Sequence, residues 1–271
     1  MPELPEVETT RRGLEPHLVG RRIRGVVVRN PNLRWPVPRD LGRRLEGEEV
    51  LGIRRRGKYL LIDCRRGHVL VHLGMSGRLS LVPDDSPPRL HDHVDVQLEG
   101  HQILRLTDPR RFGAVLWLPE PAEEHALLSG LGIEPFDPGF DGATLRRLAR
   151  GRRVAVKQFL MNGRILTGVG NIYASEALFR ARIHPLRSVG RISPAAWQRL
   201  ASAVRETLEH ALSAGGSTLR DFAAADGKPG RYQKRFLAYG REGKPCPRCR
   251  TPIRALRQGQ RSTFYCPGCQ R

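Results

Sequence analysis

Four cysteines near the end of the chain fall into two C-x-x-C pairs, Cys246/Cys249 and Cys266/Cys269, with sixteen residues between the pairs. That spacing fits a four-thiolate structural zinc site, in which each tight knuckle aims two sulfurs at one metal. Pro247 and Pro267 follow the first cysteine of each pair and favour such turns. The stretch Thr251 to Phe264 between the knuckles is expected to be a β-hairpin. A module this small cannot bury enough apolar surface to order itself, so one bound Zn2+ is expected to supply the folding free energy. A redox C-x-x-C is the competing reading, but the thioredoxin-like βαβ context is missing. Cys64 stands alone, and no disulfide framework is indicated.

The other strong constraint is charge. Lys and Arg number 47 against 27 Asp and Glu, a net +20 over 271 residues. A balance of that size points to a polyanionic partner, nucleic acid ahead of an anionic membrane surface. No stretch approaches the ~20 apolar residues needed to span a bilayer. The start, Met1-Pro2-Glu3-Leu4-Pro5-Glu6, lacks the apolar core of a secretory signal, so a cytoplasmic protein is expected. Of the basic residues 42 are Arg and 5 Lys, a skew most simply explained by codon bias. It singles out Lys58 and Lys157, because an amine can release a proton where a guanidinium cannot.

At ~150 residues per domain the length allows more than one core. After a first helix, the chain from about Arg22 to Leu118 reads as short strands: Ile23 to Arg29, Val50 to Arg56, Tyr59 to Cys64, His68 to Leu73, Arg78 to Val82, Val94 to Leu98, Ile103 to Leu106 and Ala114 to Leu118. Short apolar runs broken by Gly, Pro and Asp suggest a β-sandwich or barrel. Val94 to Leu98 alternates cleanly, and Glu99-Gly100 turns it back to Ile103 as a hairpin. Pro119 to Asp141 is rich in Pro and Gly and reads as a linker. Beyond it the pattern becomes helical, over Leu145 to Ala149, Val154 to Leu160, Ile172 to Arg180 and Ala195 to Ala214. The last carries Trp197, Leu200, Val204, Leu208 and Leu212 on one stripe, capped by Ser193-Pro194 and stopped by Gly215-Gly216. Ala223 to Arg235 is expected to be a mobile loop. The domains expected are 1–120, 121–235 and 236–271.

Two motifs leave alternatives open on the residues alone. Thr167-Gly168-Val169-Gly170-Asn171 precedes a helix, so its N–H groups can converge on a phosphate or simply begin the helix. Pro2, freed by loss of Met1, would be a terminal secondary amine able to attack a sugar carbon, with the Glu3 carboxylate beside it. Equally, Pro5 can be opening a helix through Leu4, Val7 and Leu14, with the first residues merely leading in.

Taken together the motifs stop being independent. Pro2-Glu3-Leu4-Pro5-Glu6-Val7-Glu8-Thr9, Arg56-Gly57-Lys58-Tyr59-Leu60-Leu61, His72-Leu73-Gly74-Met75-Ser76-Gly77, His91-Asp92-His93-Val94-Asp95, Thr107-Asp108-Pro109-Arg110-Arg111-Phe112-Gly113, Gly168 to Glu176 and the cysteine module follow one another along the whole chain. In this order they closely resemble the formamidopyrimidine-DNA glycosylases of the bacterial Fpg/Nei family. Leu4 stands where the sibling endonuclease VIII group usually has Gly, which favours the former.

The resemblance implies an α+β multidomain fold: an N-terminal β-sandwich preceded by the catalytic helix, a helix-two-turns-helix domain and a C-terminal β-hairpin zinc finger. It implies a monomeric, nucleoid-associated base-excision repair enzyme acting on double-stranded DNA that carries oxidised or abasic nucleotides. Such an enzyme excises oxidised purines and cleaves the strand by β,δ-elimination. Catalytic roles fall to Pro2 as nucleophile, Glu3 as proton donor in sugar opening, Lys58 as proton donor in β-elimination and Arg261 in δ-elimination. Flipping a nucleotide leaves a void, and Met75, Arg110 and Phe112 match the residues that fill it; spacing alone favours core for Met75 and Phe112, but both lie in Gly-bounded loops, Gly74 to Gly77 and Arg110 to Gly113, which suits exposure. His72, His91, Arg152, Lys157, Asn171 and Tyr239 match DNA-contacting positions. Cys246, Cys249, Cys266 and Cys269 would hold the zinc, and Ser217 to Tyr232 would close over the flipped base. The alternatives are an endonuclease VIII-like enzyme for oxidised pyrimidines and a catalytically silent DNA-binding homologue.

Overall fold

The computed structural model describes residues 1–217 and 230–271. Two compact units emerge, Met1–Ser129 with Ala214–Arg231, and Gly130–Ser213 with Tyr232–Arg271. The first break falls inside the Pro-rich stretch between Pro119 and Asp141.

The first unit begins with helix α1 (Leu4–Leu18), whose apolar stripe Leu4, Val7, Leu14 and Leu18 is buried. Strands β1 (Ile23–Val28), β2 (Gly52–Arg56), β3 (Tyr59–Cys64), β4 (Gly67–His72), β5 (Arg78–Pro83), β6 (Asp92–Leu98), β7 (Gln102–Thr107) and β8 (Ala114–Leu118) follow, with the short helix α2 (Leu41–Leu45) after β1. They form two four-stranded antiparallel sheets, in the orders β1-β6-β7-β5 and β2-β3-β4-β8. One core fills the sandwich, with Leu60, Ile62, Val69 and Val71 from one sheet, Val94, Val96, Leu104 and Leu106 from the other, and Val7 and Leu14 from α1. The expected hairpin is present: Leu98 pairs with Gln102 across a turn in which Gly100 takes φ +85°. The buried Asp95 of β6 accepts from Arg105 of β7 at 2.8 Å and from Arg29, the residue after β1, at 2.6 Å.

In the second unit, α3 (Gly142–Ala149) starts three residues before the expected Leu145, because the Asp141 carboxylate accepts the Thr144 N–H at 2.7 Å and caps the helix there. Helix α4 (Val156–Leu160) is shorter than the expected Val154 to Leu160. Ala155 is extended and bridges Ser188, and the Val154 carbonyl accepts the Val189 N–H, which draws these residues away from helical pairing. Helices α5 (Asn171–Ala181) and α6 (Pro194–Ser213) follow. Ser193 Oγ accepts the Ala196 N–H at 3.3 Å, and Gly215 and Gly216, at φ +71° and +78°, end the run. Trp197, Leu200, Val204 and Leu208 are buried as expected, whereas Ala211 rather than Leu212 completes that face.

The finger closes the chain as hairpin β9 (Arg254–Gln258) and β10 (Arg261–Tyr265). Its core joins Phe179 of α5 to Ile253, Cys246 and Cys266. The expected mobile loop Ala223 to Arg235 divides into two parts. Residues 218–229, with most of the segment expected to close over the base, lie outside the described residues. Tyr232–Arg235, by contrast, is a short 3-10 turn anchored by the fully buried Tyr232, whose ring packs 5.8 Å from Tyr173 and 5.6 Å from Phe236. Among the described residues no helix is long and apolar enough to cross a membrane.

Candidate active site and nucleic-acid interface

Glu3 is the N-cap of α1 and only 2% exposed, and Pro2 is buried beside it. The N3 residue, Glu6, accepts the Glu3 N–H at 2.9 Å, which fixes the direction in which the chain enters the helix. Burial is the largest influence on the Met1 α-amino group and holds its pKa below the ordinary value; Glu3 and Glu6 oppose that effect, while Lys58 and Arg110 add to it. The fold therefore gathers Pro2, Glu3, Lys58 and Arg110 into one electrostatic neighbourhood. Lys58 reaches it from the tight β2–β3 turn, where Arg56 pairs with Tyr59 and Gly57 takes φ +59°.

Behind this cluster lies His72 at the end of β4. Its Nδ1 accepts the Gly74 N–H at 3.1 Å, and its ring lies 4.9 Å from that of Tyr59. Burial, then the Lys58 and Arg34 cations, push its pKa down to about 4, so the imidazole is neutral at physiological pH. The loops after β4 and β7 project Met75 and Phe112, which are 40% and 41% exposed, and the Arg110 guanidinium lies 4.9 Å from the centre of the Phe112 ring. These two apolar residues are not core. His91 is half-buried, its ring 6.4 Å from His93.

In the second unit the Lys157 ammonium is buried and donates to Asn171 Oδ1 at 2.6 Å, Thr263 Oγ1 at 2.7 Å and the Ser262 carbonyl at 3.3 Å. Asn171 Nδ2 donates to the same carbonyl at 3.1 Å and to the Tyr239 hydroxyl at 3.4 Å. Thus α4, the start of α5 and β10 meet in one polar knot that brings Lys157, Asn171 and Tyr239 together, with the exposed Arg261 next along β10. Gly170 is the N-cap of α5, and Gly168, at φ +84°, allows the turn into it. Arg152 stands apart from the knot, in an arginine-rimmed hollow of about 610 Å³ shared with Arg146, Arg147 and Arg150.

The four finger sulfurs all lie within 4.8 Å of one another, with Cys249–Cys266 at 3.4 Å and Cys246–Cys269 at 3.9 Å. A tetrahedron built on ~2.3 Å Zn–S bonds has edges of ~3.8 Å, so the donor set fits one structural zinc ion.

Comparison with known proteins agrees with this arrangement. The model of the formamidopyrimidine-DNA glycosylase N-terminal domain matches residues 1–115, that of the H2TH domain of the same glycosylases residues 131–223, and that of a zinc finger found in FPG and IleRS residues 243–271. A formamidopyrimidine-DNA glycosylase of Syntrophotalea carbinolica is 56% identical over all of both chains. Lactococcus lactis Fpg in complex with Fapy-dG-containing DNA superposes with a TM-score of 0.91 at 31% identity, covering 99% of this chain and 100% of that one. The same protein with abasic-site DNA gives 0.91 at 32% identity over 99% of each. The chain belongs to the formamidopyrimidine-DNA glycosylase family.

It is thus a DNA-repair glycosylase. Three carboxylates that organise its sites carry no role in the sequence reading: Glu6, Asp108 and Glu176. Glu176, fully buried on α5, accepts the N–H groups of Leu237, Ala238 and Tyr239 at 2.8 to 2.9 Å. Of the three, Glu6 alone left a signal, since Glu3-x-x-Glu6 has capping-box spacing.

Proposed function

We propose that this glycosylase is bifunctional: it excises oxidised purines, 8-oxoguanine and formamidopyrimidines, from double-stranded DNA and then cleaves the strand at the abasic site. In this reading loss of Met1 makes Pro2 the terminal secondary amine. Its nitrogen bonds to C1′ and sheds its proton as the glycosidic bond breaks, and the base departs with the bonding pair and takes up a proton. Glu3 protonates the ring oxygen of the sugar, the ring opens, and an iminium with no N–H to lose remains. β-Elimination then removes the C2′ proton and expels the 3′ phosphate, with Lys58 as proton donor. Arg261, always charged, holds the phosphate expelled in δ-elimination.

What carries this reading is the geometry at the start of α1: Pro2 is buried next to the buried Glu3, and the Met1 α-amine just ahead of it has its pKa lowered, first by burial, with Glu3, Lys58 and Arg110 all close enough to act on it. A terminal amine placed there gives up its proton more readily than an exposed one, which favours nucleophilic attack. In the same reading Met75, Arg110 and Phe112 fill the gap left by the flipped nucleotide. His72, His91, Arg152 and Tyr239 contact the backbone, as does Asn171, held by Lys157. The Lactococcus lactis protein's complexes with Fapy-dG and abasic DNA support the choice of substrate.

Borohydride reduction in the presence of 8-oxoguanine or abasic duplex tests the mechanism. Protein with a free Pro2 is expected to give a covalent adduct, and protein that retains or acetylates its first residue is expected to give none. Full-rate strand cleavage by the blocked form would overturn it. Faster excision of thymine glycol than of 8-oxoguanine would overturn the substrate assignment.

A further inference from the structure

The exposed Met75 and Phe112 stand on two separate loops, 73–77 between β4 and β5 and 108–113 between β7 and β8. The loops are locked backbone to backbone. Gly74 takes φ +60° and lies so close to the neighbouring loop that a Cβ there would fall 2.5 to 2.7 Å from the Phe112 and Gly113 main chain. At Gly113 a Cβ would meet the His72 carbonyl at 2.7 Å. Only glycine fits at either place.

Between the loops lies one fully buried carboxylate, Asp108. Its Oδ1 accepts the Ser76 hydroxyl at 2.9 Å and the Arg110 N–H at 3.3 Å, and its Oδ2 accepts the Gly113 N–H at 2.8 Å. Its main-chain carbonyl takes His93 Nε2 at 2.8 Å and the Arg111 N–H at 3.1 Å. Its side chain makes no ion pair among the described residues, so donors from the two loops are what balance its charge. A buried carboxylate held in this way loses its compensation if either loop shifts.

We propose that Asp108 is a positioning residue that clasps the Met75 loop to the Arg110–Phe112 loop, so that the three gap-filling side chains enter DNA as one pre-organised wedge. The inference rests on the reading of those side chains as void fillers. Side chains inserted from loose loops would lose conformational freedom at the moment of insertion, and that loss would subtract from the free energy available for flipping. A clasp formed during folding removes the loss beforehand. Arg110 is also bound through its own N–H, so the guanidinium that meets the orphaned base takes its register from the same carboxylate.

Asp108→Asn puts a second donor against either the Gly113 N–H or the Ser76 and Arg110 donors and opens the clasp at unchanged volume. Lesion excision from duplex DNA is expected to fall ~10-fold or more, with a matching loss of the fluorescence rise from 2-aminopurine placed beside the lesion. Cleavage of an abasic site in a single strand, which leaves no stack to fill, is expected to stay within ~2-fold of wild type. Ser76→Ala removes one bond and is expected to show the same split at about a third of the size; it decides the matter if the Asn variant does not fold. Wild-type duplex excision with an unchanged fluorescence signal, or equal losses on both substrates, would overturn the proposal. Failure of the mechanism itself shows up separately, as absence of the borohydride adduct with wild-type protein.

Discussion

Glu6 Oε1 accepts both the N–H of Ser217, at 2.7 Å, and its hydroxyl, at 2.9 Å, while Oε2 holds the Glu3 N–H. One buried carboxylate thus joins the first turn of α1 to the chain that follows α6. Gly216 packs against the same side chain, where a Cβ would come 3.1 Å from Oε1. Glu6→Gln must turn an amide donor toward one of these donors. The expected cost is ~1–3 kcal/mol of unfolding free energy, with ~1 kcal/mol for Ser217→Ala, both read from urea denaturation. Excision should fall with Glu6→Gln, because the Glu3 backbone is no longer fixed. A Glu6→Gln protein as stable and as active as wild type would contradict this account.

The parts of the molecule legible in the sequence are those whose cause is local. Cysteine spacing gave the finger, period-two alternation the Val94 to Leu106 hairpin, and three- and four-residue spacing the face of α6. Helix boundaries shift for two reasons: the local Asp141 cap starts α3 earlier than the apolar pattern, and distant partners decide the start of α4, where Val154 and Ala155 are drawn off by Val189 and Ser188. Spacing alone favours core for Met75 and Phe112; the glycines that bound their loops are the signal for the exposure they show. Glu6 showed only as capping-box spacing with Glu3, and Asp108 and Glu176 were silent because they hold mainly main-chain groups, which leave no trace in the identity of the residues that carry them.

A pH prediction follows from His72. Its folded pKa is pushed to about 4, below the ordinary 6.5 that an unfolded chain retains. Between those values the unfolded state binds the proton and the folded state does not. The stability contribution is therefore complete above pH ~6.5 and is lost as the pH falls toward ~4. Unfolding free energies measured across that window should decline for wild type and decline less for His72→Asn. Equal slopes for the two proteins would show that the imidazole is not kept neutral by the fold.

In the second unit Glu176 anchors the residues that carry Tyr239. Three N–H groups depend on its carboxylate, so Glu176→Ala leaves them without their acceptor and is expected to cost ~3 kcal/mol or more. Glu176→Gln keeps an acceptor oxygen and should cost about half as much. Tyr239 would then drift from Asn171, and binding of abasic duplex should weaken even where the variant remains folded. A calorimetric scan paired with a binding titration separates the two effects. An alanine variant with the wild-type melting temperature would refute the anchoring role.

Zinc removal tests whether the finger's order reaches the polar knot. Lys157 takes two acceptors, Thr263 Oγ1 and the Ser262 carbonyl, from β10, and Asn171 uses the same carbonyl. The hairpin that presents them is too small to hold itself without the metal. Chelation, or Cys249→Ser, is therefore expected to release one zinc per chain and to loosen β9 and β10. The Lys157 ammonium then loses the two β10 acceptors in a buried place, which should displace Asn171 and the start of α5 as well. Affinity for abasic duplex should drop ~10-fold or more, and its steep dependence on salt should flatten as Arg261 and its neighbours leave the phosphates. Metal analysis and titrations at two salt concentrations read both effects, and an apo protein that binds as tightly as the zinc form would break the link between finger and knot.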